Sequence, residues 1–206
     1  MVRLTIDNRD IEVSPNLTIL EAALANGIKI PHLCDEPRLE PVGACRLCQV
    51  HIGRMDAPPV LACTTKVSEG LKVITESPEL SSRRKFILEL LLSEHRVACT
   101  SCDAEGDCAL QDLAYRYSAS ESIYGTFQHV EPQVLNYTST NSGLEYDVEK
   151  CIRCGCCVRF CEEVEGVCAL TMDGRGITMK VNTAHGRPLQ QSDCELCGGC
   201  IRVCPT

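Results

Sequence analysis

The sequence predicts an α+β chain in three parts. These are an N-terminal β-grasp part, a small helical part around a His/Cys set, and a C-terminal part built on a repeated cysteine run. Three observations predict this. The 17 cysteines fall in four groups separated by Cys-free stretches at 64–98, 109–150 and 169–193. Residues 1–77 read as hairpin, helix, then short strands. The pattern C-x2-C-x2-C-x3-C occurs twice within 148–206. A chain so divided has a small core, and metal centres would act as its staples.

The elements follow in order. LTID (4–7) and DIEV (10–13) flank a tight Asn8–Arg9 turn and read as a hairpin. Thr18 followed by Glu21 is a capping box. Leu20, Ala23 and Leu24 give that helix one apolar face, and Gly27 sits where a left-handed cap would end it. QVHI (49–52), PVLA (59–62) and LKVIT (71–75) complete the β-grasp order, with Cys34–Cys48 on the loop after the helix. Ser77 as N-cap and Pro78 at the first helical position start a second helix. Its expected apolar stripe is Leu80, Ile87, Leu90, Leu91 and Glu94, with His95 at its end. CALQDLAYRY (108–117) reads as a third helix with Leu110, Leu113 and Ala114 inward. Ser118–Asn141, rich in Ser, Thr, Tyr, Gln and Asn, reads as a long loop or weak hairpins. VCALTM (167–172) and GITMKV (176–181) bracket Asp173–Gly174–Arg175 as a further hairpin. The expected division is therefore 1–77, 78–117, a linker at 118–147, and 148–206.

Composition narrows the function. The length, 206 residues, suits one or two domains, and the aliphatic content lies above that of disordered chains. The chain opens MVRLTIDNRD without a secretory h-region. Its longest apolar stretches, such as Phe86–Leu92 with Glu89 inside, are too short to span a bilayer, so no membrane insertion is expected. A Cys-rich chain of this kind is expected in the reducing cytoplasm, where thiols bind metal more often than they pair. The odd total argues against full disulfide pairing as well. A net charge of −8 argues against a nucleic-acid binder.

The last two groups carry the most specific signal. Cys151, Cys154, Cys157 and Cys161 form one run; Cys194, Cys197, Cys200 and Cys204, followed by Pro205, form the other. In two-cluster ferredoxins the fourth Cys of each run ligates the other cluster. Cluster A would then use Cys151, Cys154, Cys157 and Cys204; cluster B would use Cys194, Cys197, Cys200 and Cys161. Zinc ribbons also use C-x2-C pairs, but three close thiolates plus a distant fourth, twice over, favour 4Fe–4S. Cys156 offers a competing register. The gaps on both sides select Cys157 as ligand and leave Cys156 as a small apolar filler. Cys34, Cys45, Cys48 and Cys63, spaced x10, x2 and x14, suit 2Fe–2S better than zinc. His95, Cys99, Cys102 and Cys108 could hold zinc or 4Fe–4S. His32, His51, His129 and His185 read as surface or loop residues. Glu162, Glu163 and Glu165 read as a solvated face.

Taken together, PHLCDEPRLEPVGACRLCQVHI…LACTTKVSEGLKV, HRVACTSCDAEGDCALQDLA and CIRCGCCVRFC…CELCGGCIRVCP resemble one iron–sulfur region. It is shared by the large subunit of respiratory complex I, the N-terminal part of FeFe hydrogenases, NAD-linked formate dehydrogenases and diaphorase subunits of NAD-linked hydrogenases. The resemblance implies a 2Fe–2S ferredoxin-like domain on Cys34, Cys45, Cys48 and Cys63. It implies 4Fe–4S, not zinc, on His95, Cys99, Cys102 and Cys108, and a two-cluster ferredoxin-like domain after them. Cys156 departs from the family, which more often has a basic residue there.

No G-x-G-x-x-G, no G-K-[ST] and no catalytic constellation is visible, so no catalytic residue is named. The resemblance implies an electron-relay subunit with one 2Fe–2S and three 4Fe–4S clusters. Its expected partners are a flavin/NAD(P)-binding subunit and a separate catalytic redox subunit of hydrogenase, formate dehydrogenase or electron-bifurcating transhydrogenase type. The alternative is a truncated N-terminal segment of a larger enzyme of that family.

Overall fold

A computed structural model describes residues 1–120 and 146–206. The chain divides into two units. Met1–Asp35, Pro41–Leu88 and Leu113–Ala119 form the first. Glu36–Glu40, Glu89–Asp112 and the described residues from Ser120 to Thr206 form the second.

A five-stranded sheet organises the first unit. β1 (Val2–Ile6) and β2 (Arg9–Val13) pair antiparallel with Ile6 opposite Arg9. The turn is therefore Asp7–Asn8, one residue before the expected Asn8–Arg9. Both turn residues have positive φ, 47° and 64°. A two-residue turn that matches strand twist needs this, and Asp and Asn tolerate it better than Arg does. α1 (Ile19–Ala25) starts at the expected capping box. Glu21 N donates to Thr18 Oγ1 at 3.2 Å, and Thr18 N donates to the Glu21 carboxylate at 2.6 Å. The buried face centres on Ile19 and Ala23, one turn apart, which leaves Leu24 exposed at its edge.

β3 (Gln49–Ile52), β4 (Val60–Leu61) and β5 (Lys72–Ile74) fall within the expected segments. The sheet order is β2-β1-β5-β3-β4, with β5 parallel to β1 and antiparallel to β3. Leu4, Ile6, Ile19, Leu20, Val50 and Val73 form its core together with Cys48 and Cys63. His51 is no surface residue. It lies in β3, wholly buried, with Nδ1 3.0 Å from Ala57 O. A central strand is covered on both faces, and Glu79 Oε2 lies 3.7 Å from its Nε2.

α2 (Pro78–Glu94) opens as expected, with Leu80 N donating to Ser77 Oγ at 3.1 Å. Its stripe differs from the expected one. Leu80, Arg84, Leu88 and Leu92 are buried, one every fourth position, whereas Leu90 is exposed and Ile87, Leu91 and Glu94 are half-buried. A charged residue occupies one place in the buried ridge, so an apolar pattern that skips it drifts onto the wrong face. α3 (Ala109–Arg116) buries Leu110 fully, with Leu113 and Ala114 half-buried. Most of the loop expected at 118–141, and His129 within it, lies outside the described residues.

In the second unit β6 (Leu170–Asp173) pairs with β7 (Lys180–Thr183), Asp173 opposite Lys180. The connection is therefore residues 174–179, not the expected three-residue turn. Gly174 and Gly176 take φ of 77° and 57°, and Arg175 N donates to Thr178 Oγ1 at 3.3 Å, which curls the chain away from a strand. α4 (Cys156–Arg159) runs into a π-helical turn at Phe160–Val164, and α5 (Gly199–Arg202) lies near the end of the chain. Leu170, Val181 and Leu189 are the core. Tyr146, Cys151, Cys157, Cys161, Cys194 and Cys200 are among the residues packed on it. Residues Glu36–Glu40 lie against α4 and the turn after it. The Arg38 guanidinium stacks 4.9 Å from the Phe160 ring centre, and Arg159 donates to Glu40 O at 2.6 Å. Glu162, Glu163 and Glu165 are exposed, and Glu163 accepts from Glu40 N at 2.8 Å.

Candidate metal centres

The first unit gathers Cys34, Cys45, Cys48 and Cys63, all buried. The loop before β3 contributes three and the turn after β4 the fourth. Their contacts are two and two. Cys45 N donates to Cys34 Sγ at 3.3 Å, Leu33 N donates to Cys45 Sγ at 3.4 Å, and the Cys48 and Cys63 sulfurs are 3.3 Å apart. Hydrogen bonding to Cys45 and burial raise the Cys34 thiol, while the same bond lowers Cys45. Cys63 is raised by its bond to Cys48 and by burial, and Cys48 is lowered.

In the second unit His95 follows the last residue of α2, and its Nδ1 lies 3.0 Å from Lys150 O. A carbonyl can only accept, so Nδ1 carries the proton and Nε2 keeps the lone pair. Burial lowers the His95 pKa and favours the neutral ring. Cys99 opens a short 3₁₀ turn, and Cys102 N donates to Cys99 O at 3.0 Å. Cys108 precedes α3, its Sγ 3.9 Å from Pro205 O. All three cysteines are half-buried.

The two C-x2-C-x2-C runs share one backbone. Arg153 and Gly155 have φ of 57° and 76°; Leu196 and Gly198 have φ of 56° and 75°. Each glycine caps the start of a helix, α4 after Gly155 and α5 after Gly198. This matching aligns Cys154 with Cys197 and Cys157 with Cys200, and it sets Cys156 opposite Gly199. Amide donors serve the sulfurs in both: Arg153 N reaches Cys151 Sγ at 3.3 Å and Gly199 N reaches Cys197 Sγ at 3.5 Å. Cys161 Sγ accepts from Ala169 N at 3.2 Å. Burial pushes the Cys157 thiol up to about 12, with Cys154, Cys151 and Cys204 adding repulsion. Burial likewise raises Cys151 and Cys200. An apolar cavity is lined by Cys161, Cys194, Cys197 and Cys200 with Phe160, Leu170, Leu189 and Leu196. Cys156 is buried near Arg159, whose Nη2 lies 3.6 Å from its sulfur, and Cys168 is exposed.

Among the described residues no three His, Cys, Asp or Glu side chains converge closely enough to hold a single ion. Of the candidate ligand cysteines Cys197 and Cys204 are exposed and the rest are half-buried or buried, and amide protons aimed at several of their sulfurs suit iron–sulfur clusters. Sequence reasoning missed three neighbours of these groups: Arg84 beside Cys48, the Lys150 carbonyl at His95, and Tyr146 against Cys151. Arg84 had a signal, since it stands one helical turn from both Leu80 and Leu88. Lys150 acts through its backbone and left none.

Three family models match successive stretches of the chain. Residues 1–78 match the family model of a 2Fe-2S iron-sulfur cluster binding domain. Residues 84–122 match the NADH-ubiquinone oxidoreductase-G iron-sulfur binding region. Residues 142–206 match the ferredoxin-like domain of NADH-quinone oxidoreductase subunit 3. NADPH-Fe(3+) oxidoreductase subunit alpha of Geobacter sulfurreducens is 41% identical over 206 residues, 100% of this chain and 24% of that protein. A G-type subunit of the NADH-quinone oxidoreductase of Rhizobium meliloti is 36% identical over 209 residues, 100% of this chain and 23% of that one. The chain thus spans about a quarter of the length of the curated relatives it matches. A chain in the crystal structure of an NAD+-reducing [NiFe]-hydrogenase in the H2-reduced state superposes with a TM-score of 0.87. It is 34% identical, and the match covers 100% of this chain and 85% of that one. Among the described residues no helix is long and apolar enough to cross a membrane. With a 2Fe–2S domain followed by 4Fe–4S-binding regions, the chain belongs to the iron–sulfur family shared by the G-type subunits of NADH-quinone oxidoreductase and the matched chain of the NAD+-reducing hydrogenase.

Proposed function

We propose that the chain is an electron relay with four centres. A 2Fe–2S cluster sits on Cys34, Cys45, Cys48 and Cys63, and 4Fe–4S clusters sit on three sets. These sets are His95, Cys99, Cys102 and Cys108; Cys151, Cys154, Cys157 and Cys204; and Cys194, Cys197, Cys200 and Cys161. The observation that carries this reading is the apolar cavity in which Cys161, from one run, stands with three cysteines of the other. The grouping of Cys34 with Cys45, by an amide-to-sulfur bond, and of Cys48 with Cys63, by a sulfur–sulfur contact, supports a cluster in which each iron takes two thiolates.

When bound, the clusters supply one-electron redox chemistry. The chain's own residues hold them, exclude water and set their potentials through hydrogen bonds and charge. Arg153 N, Gly199 N and Ala169 N donate to candidate ligand sulfurs, which disperses negative charge from them. His95 is held as a neutral donor by Lys150 O. The parts we assign are a β-grasp domain at 1–77, a His/Cys domain at 78–117, a linker at 118–147 and a two-cluster domain at 148–206. The partners are a flavin/NAD(P)-binding subunit and a catalytic redox subunit, in keeping with the NADPH, NADH and NAD+ reactions for which the relatives are named.

Anaerobic reconstitution tests the reading. The full chain is expected to hold about fourteen iron with matching acid-labile sulfide and no stoichiometric zinc. Two or more zinc per chain would overturn it. The reconstituted chain, free of flavin, is expected to accept electrons from dithionite but not from NAD(P)H.

A further inference from the structure

Arg84 is a cation with no exposed surface, an unusual place for a guanidinium. Its donors are engaged in detail. Nε donates to Leu47 O at 3.1 Å, Nη2 to Gln49 O at 2.7 Å and to Thr75 O at 2.8 Å, and Nη1 to Tyr117 Oη at 3.3 Å. Leu47 and Gln49 are the residues on either side of Cys48. The guanidinium therefore grips the backbone immediately before and after a buried cysteine of the first candidate centre. The planar fork of Arg can reach three carbonyls at once, and Lys cannot reproduce that geometry. Its counter-charge pairs with it directly on the solvent side. Glu76 Oε2 lies 2.9 Å from Nη1 with 41% of its side chain exposed, and Glu76 also pairs with Arg116. Water screens the carboxylate while the cation stays in the interior beside Cys48.

We infer that Arg84 is a positioning residue for the 2Fe–2S centre, fixing the Cys48 backbone and raising the centre's reduction potential with its buried charge. This rests on the reading of Cys34, Cys45, Cys48 and Cys63 as that centre's ligands. Reduction adds one negative charge to the cluster, so a fixed positive charge nearby favours the reduced state. A role limited to packing would leave the midpoint where it is.

The test is an EPR-monitored redox titration of the reconstituted full chain as wild type, Arg84→Met, Arg84→Lys and Glu76→Gln. Arg84→Met is expected to lower the 2Fe–2S midpoint. Arg84→Lys should keep it closer to wild type while broadening the signal, because the charge remains and the fork is lost. Glu76→Gln removes the exposed counter-charge, leaves Arg84 in place and should raise the midpoint. Opposite shifts from Arg84→Met and Glu76→Gln support the inference; if Arg84→Met does not fold, the Glu76→Gln and Arg84→Lys titrations decide it. An unmoved or lowered midpoint in Glu76→Gln overturns it. A wild-type chain without any 2Fe–2S signal overturns the ligand assignment itself, and the inference with it.

Discussion

The Phe160 ring lies directly on the backbone of Gly199. A Cβ built there would run into the ring edge, at Phe160 Cε1 and Cδ1. The start of α5 is pressed against the turn that follows α4, and any side chain at 199 must push the ring away. Gly199→Ala is therefore expected to destabilise the second unit by about 1–3 kcal/mol, the range for overpacking a closely packed site. Chemical denaturation of the reconstituted chain checks this, and a neutral or stabilising effect would contradict the contact.

The equivalent place in the other run is held by Cys156, and here the two registers can be told apart. Cys156→Ala should keep all four clusters and cost about 1 kcal/mol for a small buried truncation. Cys157→Ala should lose one 4Fe–4S cluster or convert it to a three-iron form. Iron counts and EPR on both variants decide it; loss in the first with retention in the second reverses the register.

His95→Cys is expected to keep its cluster and lower that cluster's midpoint. The neutral imidazole adds no negative charge, a thiolate adds one, and His-for-Cys replacement raises the potential in Rieske centres. A potentiometric titration showing an unchanged or higher midpoint counts against the argument.

Stability of the metal-free chain should fall at alkaline pH. The Cys157 thiol is raised from 9.0 to about 12, chiefly by burial, so the folded state keeps a proton that the unfolded chain releases near 9. A raised pKa stabilises fully below the unfolded value and is lost as pH climbs toward the folded one. Denaturation at pH 8 and pH 10.5 should show the loss, and metal binding, which displaces that proton, should strengthen over the same interval. A stability that rises with pH would refute the burial argument.

Much of the fold is legible in the sequence because its signals are local. The Thr18–Glu21 capping box, the Ser77–Pro78 helix start and the second-unit β-pairing involve neighbours in sequence. Expectation and structure part where a signal has to cross the chain or contradict its own chemistry. Arg84 sits in the α2 ridge because carbonyls at 47, 49 and 75 come to meet it, and nothing near position 84 announces them. His51 is buried because α2 covers its strand. The connection before β7 is longer than expected because Ile177, Met179 and Val181 alternate like a strand while two left-handed glycines interrupt it. In the candidate centres spacing alone groups the cysteines, but the backbone donors to their sulfurs leave no mark on it.

The cavity shared by Cys161 with Cys194, Cys197 and Cys200 has a consequence for how this protein would fail. In the proposed ligation each run closes the cage begun by the other, so neither half of the second unit is self-sufficient. Oxidative release of one cubane would free a thiolate that anchors its neighbour's scaffold, and the damage would travel. Air exposure should therefore yield chains that are either fully loaded in this unit or stripped of both clusters, with few carrying one.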